Sequence, residues 1–546
     1  MLIKKTLCLL LLALSALAGA TGSSINAGSS DAADMGTPVA PGVIASLNVG
    51  GLDKFARRVV PSALEALTKL TFDGISGTET GFEYSVTNIH VTSAKTSGVS
   101  VSLTSGLTVG VDNAAFSAEM DWSYRLAIFP HLPSGSGSAT ASLACSHFAA
   151  TLEVGAVQTA KGLAPQFRVK DVAIDIDSID VKTAESMFSW LYNLIVRLFK
   201  GKIKTTLENA IKTTMVSTVN AFADTIVQSM LLRVPVGPLA VLDLSLTEAP
   251  ILSKTAVSML FNGEMYPATT GKSDGAVPRV PQSLPAAGPM LALSLSSFVP
   301  QTLLHVLHKS GAFAFTFDGT NPPPLWPVAF NSKAWTMVPQ LQATFPDADL
   351  RIVLSFAREF NVSISSKGLD MGGLMSFKTE AKVGTSWKAA FVVHVALAGA
   401  ANMWFDATDP ADPLLKLNIA KFTSSLSLAE TAIGQFSVDK LDKEIATVVS
   451  GVVVPFINQV FASGLPLPTV RGLRLVGTQL TLAAGTAVLT TDIDYQPTAE
   501  VLAVLRAAAL SAVGAVTTEA AAPRTVARAR ALSARADVDA DADEEY

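Results

Sequence analysis

The side chains with the chemistry to react or to hold a metal are few and widely spaced. Six histidines occur, at 90, 131, 147, 305, 308 and 394. His305 and His308 stand three apart, so on a helix they share a face from which a metal site could begin. No thiolate or carboxylate cluster lies near them in the chain, and both are expected at the surface. Asp175, Asp177 and Asp180 fall in an alternating segment, which turns two of the three carboxylates to one side of a strand. They lack the loop spacing of an EF-hand and read as a solvated sheet face. The string G-x-S-x-G occurs once, at Gly271-Lys272-Ser273-Asp274-Gly275 in the Pro- and Gly-punctuated connection rather than at a strand-to-helix turn, while the zinc helix H-E-x-x-H and the phosphate loop G-x-x-x-x-G-K-[ST] are missing from the sequence. Cys8 falls in an N-terminal leader, which leaves Cys145 as the lone cysteine of the mature chain, with no internal disulfide. A buried thiol is expected there; an exposed one could instead bridge two molecules. Neither enzymatic chemistry nor a cofactor is expected.

What remains is apolar bulk. Of 546 residues, 49% are hydrophobic and only 16% charged, with a formal net charge of -5. That balance excludes a general nucleic-acid binder, which needs a basic surface. It suits a protein that hides apolar surface in a core or around a ligand. Lys4 and Lys5, the apolar run Leu7 to Leu17 and the small residues Ala18-Gly19-Ala20 form a signal-peptide pattern over residues 1–20. Residues 21–40 are a flexible lead-in, and a secreted or lumenal location follows. The run Ile445 to Val454 is broken by Ser450 and Gly451 and ended by Pro455, so it is no second span. Asn361-Val362-Ser363 is a sequon, which makes Asn361 a candidate glycosylation site.

The elements that carry these residues follow a repeated order. Val43 to Leu70 has helical spacing, with Arg57 and Arg58 free to face water and Pro61 expected to kink or restart it. Residues 71–182 alternate with period two, as in Leu107, Val109 and Val111 or in Val172, Ile174 and Ile176; Ile179 and Val181 follow after a shift of phase. Residues 184–232 read as one long helix bearing Lys200, Lys202, Lys204, Glu208 and Lys212 on its polar side. The second half repeats the plan: a helix at Phe298 to Lys309, strands from Leu350 to Phe436, a helix from Val438 to Phe461, and strands between Leu473 and Tyr495. Pro and Gly punctuate residues 262–290 between the halves, as in a long connection over a shared middle.

An amphipathic helix laid along a curved antiparallel sheet brings two apolar faces together. Direct packing makes an ordinary core, whereas a sheet that curls away leaves a slot for a fatty chain; the periodicity leaves both open. Each methylene removed from water contributes roughly 0.8 kcal/mol, so two long acyl chains would supply about 20 kcal/mol gross. Candidate slot residues in the first half are Leu52, Phe55 and Val59, then Leu191, Leu194, Ile195 and Leu198. In the second half they are Leu303 and Val306, then Ile445, Val449 and Phe456.

Four segments, in order and spacing, then point to a family. They are Pro41-Gly42-Val43 running into Gly51-Leu52-Asp53; Ser189-Trp190-Leu191 continued by Phe199, Ile203 and Leu207; Leu291-Ala292-Leu293-Ser294 through Phe317; and Val454-Pro455-Phe456-Ile457-Asn458 with Gly464-Leu465-Pro466-Leu467-Pro468. Over residues 41–497 the chain resembles the bactericidal permeability-increasing and lipopolysaccharide-binding protein family, which includes the phospholipid and cholesteryl ester transfer proteins. The resemblance implies an α+β boomerang of two barrel-plus-long-helix units of tubular lipid-binding type, joined by a central antiparallel sheet. The N-terminal unit would span 41–245, a linker and central-sheet region 246–290, and the C-terminal unit 291–497. Residues 498–546 form an alanine-rich, acidic, mobile tail. One apolar pocket per unit is implied, each able to hold a phospholipid, and the far tip of the first unit would meet a membrane, a lipoprotein surface or lipopolysaccharide.

Two departures from the family matter. Its disulfide between a strand and the first long helix is expected to be absent, because Cys145 lies near the strand-side position but the corresponding part of the helix has Met215 and Val216 and no cysteine. Its lysine-rich tip is replaced by Asp121 to Pro133, with Trp122, Tyr124, Ile128 and Phe129 and one strong cation, Arg125. These tip candidates would dip into lipid or pack on a neighbouring hairpin. Residues 41–245 hold 16 Lys or Arg against 17 Asp or Glu, a net of -1, which argues against neutralising lipopolysaccharide by charge. The expected function is phospholipid binding with transfer, by a monomer. Lipopolysaccharide recognition and a structural or adhesive role with filled slots are the alternatives.

Overall fold

The computed structural model describes residues 39–496, with short gaps at 69–70, 73, 80, 129–130, 132, 237, 287, 324–325, 327, 407–413, 456–457, 460–464 and 467–472. Residues 184–231 are outside it except Asn193, Arg197, Gly201, Lys204, Thr205, Glu208, Asn209, Lys212, Thr213, Val216 and Asn220, which are helical. The leader, residues 21–38 of the lead-in and the C-terminal tail lie outside the described residues.

The chain opens with β1 (Val43–Asn48), which runs straight into α1 (Val49–Leu67). A first antiparallel sheet follows: β2 (Thr71–Phe72), β3 (Ile75–Glu79), β4 (Phe82–Lys95), β5 (Gly98–Ser102), β6 (Leu107–Asp112), β7 (Ala114–Leu126), β8 (Ser134–Thr159) and β9 (Gly162–Thr183). After the helical residues come β10 (Arg233–Val236), β11 (Ala240–Asp243), β12 (Ile251–Leu252), β13 (Ala256–Phe261) and β14 (Glu264–Pro267). The plan then restarts. β15 (Leu291–Ser296) runs into α2 (Phe298–Lys309), and a second sheet is built from β16 (Phe315–Asp318), β17 (Leu350–Ser365), β18 (Gly368–Val383), β19 (Ser386–Asp406), β20 (Leu414–Thr431) and β21 (Leu465–Pro466). α3 (Pro339–Thr344) lies before β17; α4 (Asp442–Val448) with a π-helical turn at Val449–Val453 follows β20, and β22 (Leu473–Ala483) and β23 (Thr486–Tyr495) close the fold.

The two halves meet in a central sheet of order β12-β13-β1-β15-β23-β22. Each half contributes a strand that leads into a helix and a later hairpin, so the order is symmetric about the β1–β15 ladder. That ladder pairs Val43 with Leu295 through Leu47 with Leu291. β1 is also paired with β13, over 200 residues away: Ser46 and Ser258 hydroxyls meet at 2.7 Å, |i−j| = 212. This pairing corrects the helix expected from Val43. Two flanking strands satisfy the backbone of residues 43–48, and tertiary context overrides the local pattern. α1 instead begins at Val49 and runs through Pro61, which is exposed. Its buried face is Leu52, Phe55, Ala56, Val60 and Leu64, with Arg57 and Arg58 outside.

The phase shift seen in the sequence has a structural cause. The β8–β9 register passes from Cys145↔Ile176 to Ala144↔Ser178, leaving Asp177 as an extra residue. Before this bulge Val172, Ile174 and Ile176 point inward; after it, Val181 is again buried.

The connection after β14 is fastened across the middle. Arg279 donates to the Ala40 carbonyl at 2.9 Å, to Glu264 at 3.0 Å and to Asn262, and its guanidinium lies 4.4 Å from the Phe298 ring centroid. Gln282 donates to the Pro41 carbonyl and accepts from Ser294. Beneath it Gly42 and Gly263 press together: a Cβ on Gly263 would lie 2.9 Å from the Gly42 Cα, and Gly263 has φ +68°. Gly263→Ala is therefore expected to destabilise the protein by about 1–3 kcal/mol, read as a lower urea midpoint.

Candidate functional site

The second sheet carries an apolar seam beneath the helices. Along β19, Gly399 and Ala401 are small, while their cross-strand neighbours are large: Met371 and Phe422 flank Gly399, and Leu369 and Ile419 flank Ala401. Small residues between large ones sink a groove into the sheet. Two clefts run along it end to end and share Met371 and Ile419. The first is roofed by Pro300 and Leu304, one turn apart on α2, and the second by Val453 and Val454 at the π-helical turn. Phe360 of β17 lies across Gly373, whose added Cβ would meet the ring at 2.4 Å. Each cleft holds about 10 Å3 of free space, room for one water. The helices therefore rest on the sheet, and a larger occupant must part them.

Asn418 and Asn458 are the polar members of the lining. Asn458 Oδ1 accepts the Ile419 amide at 2.9 Å. This contact falls where the β19–β20 register slips between Ala400↔Lys421 and Ala401↔Ile419, so a helix carboxamide satisfies the backbone at a bulge. The first half uses the same device. Asn220 Oδ1 accepts the Val169 amide at 2.8 Å beside the slip at Thr151/Leu152, and Glu208 accepts the Ile176 amide at 3.3 Å beside the slips at Cys145. Each helix is thus seated on its sheet by polar groups as well as by apolar packing.

The described slot residues lie in the two cores rather than along the seam. Leu303, Val306, Ile445 and Val449 are buried in the second core, and Leu52 and Phe55 in the first, where Phe55 packs on Tyr495 at 4.4 Å between ring centroids. None of these six lines the two clefts. The side chain of Val59, and Leu191, Leu194, Ile195, Leu198 and Phe456, lie outside what is described. Helical periodicity marked the buried stripe; the signal it did not supply was Gly399 and Ala401 alternating among large residues on β19.

At the first hairpin tip, of the two expected positions for Trp122 and Tyr124, the structure has them packed inward rather than free to dip into lipid. They lie inward across Gly137 and Gly135 of β8, where an added Cβ would come within 2.7 and 2.8 Å of the rings. Glycine leaves the space each ring fills. Ile128 is 70% exposed, Arg125 pairs with Glu83 at 2.5 Å, and Phe129 lies outside the described residues. Asn361 is exposed on β17.

His305 is corrected from surface to interior. It is 5% exposed, with Nδ1 2.9 Å from Glu359 and Nε2 2.8 Å from Asp274. The nitrogens touch the carboxylates directly, leaving no gap for a metal. Among the described residues no group of three or more His, Cys, Asp or Glu is arranged to hold one, and no helix is long and apolar enough to cross a membrane.

These features define a tandem, mostly β protein with an apolar helix-on-sheet seam. The model of the LBP / BPI / CETP family, C-terminal domain, matches residues 236–495. Bactericidal permeability-increasing protein of Sebastes schlegelii is 22% identical over 467 residues, covering 83% of this chain and 95% of the relative. Human lipopolysaccharide-binding protein is 21% identical over 465 residues, covering 83% and 94%. A putative BPI/LBP family protein of Arabidopsis thaliana is 22% identical over 403 residues, covering 71% and 78%. A crystal structure of lipopolysaccharide binding protein superposes with TM-score 0.57 at 19% identity, over 84% of this chain and all of that one, and so shares the fold. Residues 236–495 thus match the C-terminal domain of the LBP / BPI / CETP family, and the chain is similar over most of its length to BPI and LBP proteins.

Two outcomes follow from this geometry. Cys145 is buried, and burial first, then Asp177, Glu208 and Asp175, push its thiol up to about 12; a thiol reagent at about pH 8 is expected to label it only after denaturant is added. Asn458→Ala leaves the Ile419 amide without its acceptor and should cost about 1–3 kcal/mol, read in thermal unfolding.

Proposed function

We propose that this protein binds a phospholipid or a related two-chain amphiphile, with acyl chains lying between helix and sheet, and carries it between lipid surfaces. The observation that supports this most directly is the apolar seam, floored by Gly399 and Ala401, roofed by α2 and the π-helical turn, and polar only at Asn418 and Asn458. Apolar contacts supply the affinity, roughly 0.8 kcal/mol per buried methylene, and polar groups at the mouth select the head group. No reaction is assigned. The boomerang outline, the unit boundaries at 41–245, 246–290 and 291–497, a counterpart slot under the first long helix, the monomeric state and secretion or lumenal residence all belong to this reading.

Recognition of lipopolysaccharide is the second reading, supported by relatives that carry that name. The tip speaks against a charge-driven version: Arg125 is already paired with Glu83. Exposed Ile128 offers an apolar contact instead.

Native mass spectrometry of the mature protein, followed by lipid extraction, is expected to find phospholipid bound. Met371→Trp, which fills the point shared by both clefts, should lower the bound lipid by one molecule per chain. Salt-sensitive binding of lipid A in preference to phospholipid would favour the second reading. A chain that takes up neither from vesicles has slots filled by its own side chains, and the structural or adhesive role then stands.

A further inference from the structure

Two carboxylates converge on His305, beside the seam. A neutral imidazole has one N–H and one lone pair, so it can donate to one carboxylate but turns its lone pair on the other. Both short contacts, to Glu359 at 2.9 Å and Asp274 at 2.8 Å, are favourable together only for the imidazolium. The three residues come from three segments. His305 is on α2, next to the seam residue Leu304; Glu359 is on β17, next to the seam residue Phe360; Asp274 is in the connection after β14. Gln301 adds to the same junction, donating to Glu359 and to the Phe360 carbonyl and accepting from the Val362 amide at 2.7 Å.

We propose that His305 is a proton-operated clasp on the seam: as the imidazolium it pins α2 to β17 and to the connection over the middle, and its deprotonation lets α2 part from the sheet and admit an acyl chain. The acyl-chain part rests on the lipid-binding reading above. The groups facing His305 from the elements packed on α2 are Glu359 of β17 and Asp274 of the connection. On α2 itself Lys309 acts on Asp274, and His308 stacks near Phe356 at 5.6 Å between ring centroids. Glu264 of β14 is engaged by Arg279 and Ser273, and Asp243 of β11 by Asn262 and the Ser245 amide.

Burial alone lowers the affinity of His305 for its proton, but the bonds to Glu359 and Asp274 outweigh it and raise the value above the ordinary 6.5. Asp274 is lowered, chiefly by its bond to His305. The histidine contribution is therefore complete below the ordinary imidazole value and is lost as pH rises through the raised one. The aspartate contribution is present above the ordinary carboxylate range and is lost as pH falls through the lowered value. The clasp is tightest from about pH 4 to about pH 6.5.

The test is hydrogen exchange of the full chain from about pH 5 to about pH 9, corrected for intrinsic rate, alongside uptake of a fluorescent phosphatidylcholine from phosphatidylcholine vesicles. In the wild type, protection of α2 should fall and uptake quicken with pH, by roughly tenfold for each unit by which the imidazolium is raised. His305→Gln, which cannot titrate, should show low protection and fast uptake without a step. Asp274→Asn, altered at a half-exposed position, should move the step to lower pH and serves if the first variant does not fold. Equal, pH-independent protection of α2 in the wild type and a folded variant overturns the clasp. A step in protection with no lipid taken up at any pH supports the clasp and sinks the lipid reading instead.

Discussion

The β1–β15 ladder is the interaction on which the rest of the molecule depends. Five residue pairs, from Val43↔Leu295 to Leu47↔Leu291, join strands that each continue directly into a helix. The ladder therefore fixes where α1 and α2 start and how each sheet hangs from the middle. Its residues are largely buried, so its amides have no recourse to water and must be paired. The glycine contact of Gly42 with Gly263 and the Arg279 fastening belong to the same requirement, because they bring the connection down onto the ladder's end.

Away from the middle, the helices face two demands. They must cover apolar sheet, and they must answer backbone amides released where a long strand slips register. Asn220, Glu208 and Asn458 meet the second demand; leucine, valine and isoleucine meet the first. Polar seats fix a helix in register along the strand, while small residues such as Gly399 and Ala401 decide how deep the space beneath it is. A seam of this kind stays specific in position while remaining soft in depth, since dispersion contacts to a smooth apolar floor are weak singly and adjustable together.

Much of this was legible in the sequence, for physical reasons that differ by element. Period-two alternation read the first sheet correctly and even caught the phase shift at Asp177, because a bulge moves every later side chain to the other face. The repeated order of strand-rich and helical stretches revealed the tandem plan. β1 was misread because its strand character comes from partners more than 200 residues away, which no local window contains. His305 was misread because Asp274 and Glu359 approach it only through tertiary folding. Trp122 and Tyr124 stayed open between lipid and a neighbouring hairpin in the sequence, because only the register places their cross-strand glycines, Gly137 and Gly135, opposite them. The six slot residues that are described lie in the cores rather than along the two clefts, since periodicity identifies the buried side of a helix but not which part of it borders a gap.

The position of β1 in the central sheet has a consequence for biosynthesis. It emerges early from the ribosome, but neither neighbour exists until residues 256–261 and 291–296 have been made. At about 5–20 residues per second, the segment Val43-Ile44-Ala45-Ser46-Leu47 waits roughly 10 to 40 seconds with both edges open. It is short, apolar and uncharged, the composition that favours pairing with other chains. The central sheet therefore cannot close until more than half of the chain has been made.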